Sequence, residues 1–158
     1  MENLSRNASR EALGERGLRA WLAFLRAHAG VSRQLDADLI AGHGLTLNDY
    51  DVMVTLDHAP GSRLRMSELA DRILLTRSGV TRRVDRLERA GLVQRVTCAS
   101  DARGAFAELT AKGRETLVAA RATHMRGVQA LFAERFTDDE LDTLAALLSA
   151  LPQTADRD

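Results

Sequence analysis

The sequence is poor in the residues that staple a chain, kink it or anchor it in a membrane. Among 158 residues there is one cysteine, Cys98, which excludes an internal disulfide framework and a cysteine-rich zinc site; a reducing cytoplasm is the expected compartment. Two prolines and 4% aromatics fit a mostly helical chain better than a β-sandwich. No run of about 18 apolar residues occurs, so no transmembrane helix is expected. The opening Met1-Glu2-Asn3-Leu4-Ser5-Arg6 lacks the apolar core of a signal peptide. The four histidines, His28, His43, His58 and His124, include no pair at the i, i+4 spacing of a helical metal site. No nucleophile elbow, phosphate loop or paired-carboxylate motif appears, and Asp138-Asp139 falls at a helix start, where acids stabilise the helix dipole. The chain reads as a non-enzyme with no cofactor and no metal.

What is present is a globular composition, 45% hydrophobic and 28% charged, long enough for one domain plus an arm for association. The formal net charge is zero, with 22 basic and 22 acidic residues, but the charges are segregated. Between Arg63 and Arg103 there are ten arginines and five acids, a balance of +5, so the rest of the chain carries −5. A basic middle between acidic flanks is the footprint of a nucleic-acid reader; a solvated basic face is the plainer alternative.

Hydrophobic periodicity divides the chain. Residues 1–10 read as a polar tail. A long helix from about Glu11 to Ala41 places Leu18, Leu22, Leu25, Ala29, Ser32, Leu35 and Leu39 at spacings of three and four, and Gly42-His43-Gly44 ends it. A second helix opens after Thr46 or Asn48 and stops at Pro60-Gly61. Arg63-Leu64-Arg65 is too short for more than a β-bridge. A short helix capped by Ser67 covers Glu68 to Ile73, Leu74-Leu75 is a tight connection, and Thr76 caps a helix from Arg77 to about Ala90 that stops at Gly91. Strands are predicted at 92–97 and 105–109 around a polar tip, Cys98 to Gly104. Thr110 to Gly113 lead into a long helix reaching about Arg135, its buried face marked by Leu117, Ala120, His124, Val128, Leu131 and Phe132. Thr137 with Glu140 forms a capping box for the last helix.

Short helix, tight turn, second helix and two-stranded hairpin make a winged helix-turn-helix. At 100° per residue, Val80, Val84 and Leu87 share one face of the 77–90 helix, while Ser78, Arg82, Asp85 and Arg89 lie opposite, with Thr81 and Arg86 on the flanks. Such a helix can enter a major groove: arginine pairs with guanine O6 and N7, and serine or threonine with either base class. Its leading end, Arg77-Ser78-Gly79, is the part that normally meets base edges. At the hairpin tip, Arg103 can enter a narrow minor groove, Asp101 can fix its rotamer, and Gly104 lets the strand return.

These residues also carry a family resemblance. Ser-Gly-Val-Thr-Arg-Arg-Val-Asp-Arg-Leu-Glu-Arg-Ala-Gly-Leu-Val (78–93), then Asp101-x-Arg103-Gly104, then Leu109-Thr110-x-x-Gly113, resembles the multiple-antibiotic-resistance regulator (MarR) family. The resemblance implies a mainly α protein with a small β-hairpin wing, an α+β winged helix-turn-helix with dimerisation helices at both ends. It divides the chain into 1–44 (tail and dimerisation helix), 45–110 (DNA-binding domain) and 111–158 (C-terminal dimerisation helices and tail). It implies a homodimeric regulator, a repressor on a pseudo-palindromic double-stranded DNA operator. Ser78, Thr81 and Arg82 then face the groove, Arg86 supports backbone contact, Arg103 enters the minor groove and Asp101 orients it. Ser67 can offer its hydroxyl to a phosphate. Specificity is expected from Arg77, Arg82 and Arg103.

The resemblance also implies release by a small aromatic or anionic effector. Candidate contacts are Trp21, His28, Tyr50 and Met53, with Arg16 or Arg19 as anion partner; the plainer reading makes Trp21, Tyr50 and Met53 core or dimer-interface residues. Two alternatives stand beside this: a redox response through Cys98 at the base of the wing, and a winged-helix interaction module that does not bind DNA.

Overall fold

The computed structural model describes the backbone of residues 2–73, 77–98 and 101–152, and the side chains of 14–73, 78–96 and 105–152 within these. Internal packing divides the chain into two units, Met1–Gln34 and Leu35–Asp158. The predicted Thr76 cap and Leu74-Leu75 connection lie outside the described residues.

Helix α1 (Glu2–His43) forms the first unit and enters the second. Its backbone is helical from Glu2, where a tail was expected, and is interrupted at Gly14 (φ 68°, ψ 163°). The segment before the break carries Ala8, Glu11, Ala12 and Leu13, good helix formers without a proline. From residue 14 to 34 the apolar stripe is present but exposed at Trp21, Leu22, Phe24 and Leu25. Trp21 and Phe24 lie 6.0 Å apart between ring centres, and Phe24 and His28 6.5 Å.

In the second unit, α1 ends as the glycines require. Gly44 adopts φ 67° and its N–H donates to the Ile40 carbonyl at 2.9 Å. Helix α2 (Leu47–Asp57) starts from Thr46, whose hydroxyl accepts from Asp49 N–H while the Asp49 carboxylate accepts from Thr46 N–H. α2 is followed by a 3-10 turn at Pro60–Ser62, strand β1 (Arg63–Arg65), α3 (Met66–Arg72), α4 (Arg77–Arg89), β2 (Val93–Cys98) and β3 (Asp101–Leu109). Helix α5 (Ala111–Leu131), a 3-10 turn at Ala133–Arg135 and α6 (Asp138–Ser149) complete the order.

The sheet is antiparallel in the order β1-β3-β2. Arg63-Leu64-Arg65, expected to form no more than a bridge, is its third strand. Leu64 points into the core opposite Ala107, and the guanidiniums of Arg63 and Arg65 lie 5.9 and 5.2 Å from the Phe106 ring. β2 and β3 run on to Cys98 and Asp101, which are register partners, so the hairpin tip is shorter than the seven residues expected; the register shifts between Thr97 and Cys98. Continuing the ladder satisfies backbone groups that a longer loop would leave to water.

Ser67 is not a cap. The capping position of α3 is Arg65, whose N–H donates to the Glu68 carboxylate at 3.3 Å, and Ser67 sits within the first turn. The later boundaries follow capping chemistry. At the end of α4, Leu92 N–H donates to Leu87 O and Gly91 N–H to Glu88 O, both at 2.9 Å, with Gly91 at φ 72°, a Schellman closure. Thr110 caps α5 by accepting from Gly113 N–H at 2.9 Å. Gly113 has no room for a side chain: a Cβ there would sit 2.0 Å from Leu92 O.

The core lies between α2, α3, α4 and the sheet, joined by Leu39 of α1 and by Leu117 and Ala120 of α5. Val80, Val84 and Leu87 are buried as the helical angles predicted, each contributing about 1.5–3 kcal/mol. Burial along α5 fades after Ala120. His124, Val128 and Leu131 are half-buried, Phe132 is exposed, and α5 ends at Leu131, short of the predicted Arg135. α6 has its predicted Thr137–Glu140 capping box but no buried residue.

Candidate nucleic-acid interface

Helix α4 positions the site because its inner face is fixed by Val80, Val84 and Leu87. Opposite them Ser78, Thr81 and Arg82 are exposed on one surface. Arg77 is the first residue of α4, and its side chain lies outside the described residues. The same holds for Asp101 and Arg103, whose backbone belongs to β3, and for Cys98, the last residue of β2. Ser67 is exposed in the first turn of α3.

Two clusters that the sequence did not reveal lock α4 in place. On the wing side, Arg95 of β2 contacts Asp85 and Glu88 of α4, with both N···O distances at 2.5 Å, and its N–H also donates to Glu88 at 3.2 Å. The hydrogen bond to Asp85 and the two carboxylate charges hold the Arg95 guanidinium above its ordinary pKa. Asp85, expected on the outward face, is thereby neutralised by the wing, so the exposed face of α4 is more basic than its sequence suggests. On the other flank, Arg86 donates to the Gly44 carbonyl at 2.9 Å and Arg83 to the Thr46 hydroxyl at 3.0 Å. Each also lies 3.5 Å from a carboxylate oxygen of Asp49, which is fully buried. Arg86, expected to support a DNA backbone contact, is thus engaged with the start of α2. The capping spacing Thr46-x-x-Asp49 was the available signal; what it could not give was that α4 packs against it.

The candidate effector residues fall in different units. Arg16, Trp21 and His28 are exposed on α1 in the first. A groove along that helix is lined by Glu15, Leu18, Arg19, Leu22, Ala23 and Arg26, so it includes Arg19 but not Arg16. Tyr50 and Met53 belong to the core of the second unit. Tyr50 packs against His124 of α5 with ring centres 4.6 Å apart. Burial, opposed by the nearby Arg121 guanidinium, raises the Tyr50 pKa. Arg121 in turn binds Asp57 at 2.8 Å. Burial also holds His124 below its ordinary pKa, and its Nδ1 has no hydrogen-bond partner among the described residues. Among the described residues no cluster of three His, Cys, Asp or Glu side chains could hold a metal, and no helix is long and apolar enough to cross a membrane.

A helix buried on one face, polar and basic on the other, and braced by a β-wing defines a winged helix-turn-helix of the DNA-binding class. The comparisons agree. Residues 43–104 match the profile of the MarR family. The structure is similar to that of AbsC, a MarR family transcriptional regulator from Streptomyces coelicolor, at 35% identity and a TM-score of 0.79, covering 86% of this chain and 91% of that one. It is also similar to Sco3205, a MarR family regulator from the same organism solved in complex with DNA, at 32% identity and a TM-score of 0.80, covering 92% and 95%. The transcriptional repressor YetL of Bacillus subtilis is 32% identical over 111 residues, 70% of this chain and 66% of that protein's length. The chain belongs to the MarR family: it is a DNA-binding transcriptional regulator and not an enzyme.

Proposed function

We propose that the protein is a homodimeric repressor that reads a pseudo-palindromic operator with α4 and is released from it by a small aromatic or anionic molecule. The observation that carries the reading is the exposed Ser78, Thr81 and Arg82 surface, held outward by the buried Val80, Val84 and Leu87. Arg77, Ser78, Thr81 and Arg82 contact base edges in the major groove. Arg103 enters the minor groove with Asp101 as its orienting acid, and Ser67 contacts a phosphate. Two-fold pairing is supported by the apolar side chains left exposed near both chain ends, Trp21, Phe24 and Leu25 on α1 and Leu147 on α6. Repression is supported by the likeness to a protein named as a repressor. Release follows if the effector binds more tightly to a lobe spacing that mismatches the two half-sites; of the candidate contacts, Arg16, Trp21 and His28 are exposed in the first unit, whereas Tyr50 and Met53 lie in the core of the second.

The test is fluorescence anisotropy of the full chain on the DNA upstream of its own gene, with random duplex of equal length as competitor. Preferential binding that weakens steeply with salt is expected. Equal binding to both DNAs contradicts a sequence-specific reader.

A further inference from the structure

We infer that Asp49 is a positioning residue for DNA reading: its buried carboxylate tethers Arg83 and Arg86 to the start of α2, which fixes the rotation of α4 and keeps both guanidiniums off the DNA backbone. The inference rests on the reading of α4 as the groove-entering helix.

The geometry is that of a double tether. Asp49 is 0% exposed. Its Oδ2 accepts from Thr46 N–H at 2.9 Å and lies 3.5 Å from Arg86 Nε. Its Oδ1 lies 3.5 Å from Arg83 Nη1 and, among the described residues, accepts no hydrogen bond. Each arginine has a second, neutral anchor: Arg86 donates to Gly44 O at 2.9 Å, and Arg83 to Thr46 Oγ1 at 3.0 Å. Positions 83 and 86 are one helical turn apart, so both tethers pull on the same flank of α4. Two anchors on one flank resist rotation of the helix about its axis. That axis angle decides whether Ser78, Thr81 and Arg82 meet base edges.

A buried carboxylate is a poor choice for stability alone. Its desolvation is costly, and ion pairs of this kind often do no better than apolar packing. Here the carboxylate also draws in two cations that keep substantial exposure, 30% for the Arg83 side chain and 46% for Arg86. Untethered, two long arginine side chains next to the reading face would serve any phosphate, whatever the sequence. Non-specific affinity would rise at the expense of discrimination.

The test uses the full-length protein, its upstream DNA and a random duplex, over a range of salt. Asp49→Asn keeps the acceptor for Thr46 N–H but removes the charge. It is expected to bind random DNA more tightly, to steepen the salt dependence by about 1–2, near 0.9 per phosphate gained, and to lose about tenfold in discrimination. Weaker binding to both DNAs at unchanged salt dependence would reduce Asp49 to a structural role. Arg86→Gln and Arg83→Gln address the same point with less risk to folding. Each is expected to lower discrimination several-fold with no change in salt dependence. A salt slope lower by about 0.9 at unchanged discrimination would instead make that arginine a phosphate contact and overturn the proposal. An arm without DNA keeps the tether separate from the DNA reading. The Arg86 Nε–H resonance should be slow to exchange with water in the wild type and fast in Asp49→Asn; equal exchange in both overturns the tether. A wild type that fails to prefer its upstream DNA contradicts the DNA reading, while this exchange measurement still decides the tether.

Discussion

The segment from α2 to β3 covers its own apolar surface; residues 14–34 of α1 and the whole of α6 do not. Both regions carry apolar residues at helical spacing. In the central segment that stripe ends in burial: Val52, Met53, Leu56, Leu69, Val80 and Val84 are sealed from solvent. In α6 no residue is buried, and Leu147 is 67% exposed. Helical periodicity therefore has two meanings in one chain. Where α2, α3, α4 and the sheet meet, it describes a core a single copy completes. Near the ends it describes exposed apolar surface, the feature that supports the proposed two-fold pairing.

The sharpest way to break the comparison is Gly113→Ala, a change of one methyl group at the edge of the closed region. Its Cβ would stand 2.0 Å from Leu92 O and 2.9 Å from Leu109 Cδ1. A loss of about 3 kcal/mol or more is expected, because backbone cannot yield as a side chain does. Thermal unfolding measures it, and an unchanged Tm would mean that the β2-to-α5 junction is looser than described. Next in size is a matched pair of truncations. Leu87→Ala should cost about 2–5 kcal/mol of unfolding free energy. Leu147→Ala should cost under about 0.5 kcal/mol in the isolated chain yet weaken self-association in sedimentation equilibrium. Similar unfolding costs for the two, or unaltered association of Leu147→Ala, would erase the contrast between centre and ends.

The smallest effect lies at the border between the two regions, where α5 begins to emerge. His124 is held below its ordinary pKa by burial, so the folded protein binds fewer protons there than the unfolded chain. Stability from the neutral ring is then complete above the unfolded pKa of about 6.5. It is lost as the pH falls through that value toward the folded pKa. Tm should decline on acidification from about pH 7 to about pH 5, and His124→Gln should flatten that decline. An identical pH profile in the variant would show that the ring does not titrate against the fold.

Legibility in the sequence followed the range of the interactions. The Thr137 cap and the stops at Gly44 and Gly91 depend on a few neighbouring residues, and they stand where the sequence placed them; of the two caps it offered for α2, Thr46 and Asn48, the first is used, and Thr110 caps α5 without having been read as a cap. So does the inward face of α4, which needs only the helical angle. Short range also misled: Ser67 looks like a cap, but Glu68 closes the turn on Arg65. β1 was missed because three residues carry no period, and its pairing with β3 spans 43 or so positions of chain. The Asp49 tether joins a helix start to an arginine 37 positions later, so it appears only once α4 is laid against α2. For the same reason Arg86, the arginine at the far end of the reading helix by pattern, is in space a neighbour of Gly44.

The central claim is that the exposed face of α4 reads sequence, and Arg82→Ala tests it most directly. Anisotropy on the upstream DNA and on random duplex, at matched salt, should show a loss of about 1–3 kcal/mol on the upstream DNA. Random DNA should be affected far less, and specificity should relax at one base pair in each half-site. Equal losses on both DNAs would contradict base reading and leave Arg82 a contact to phosphate.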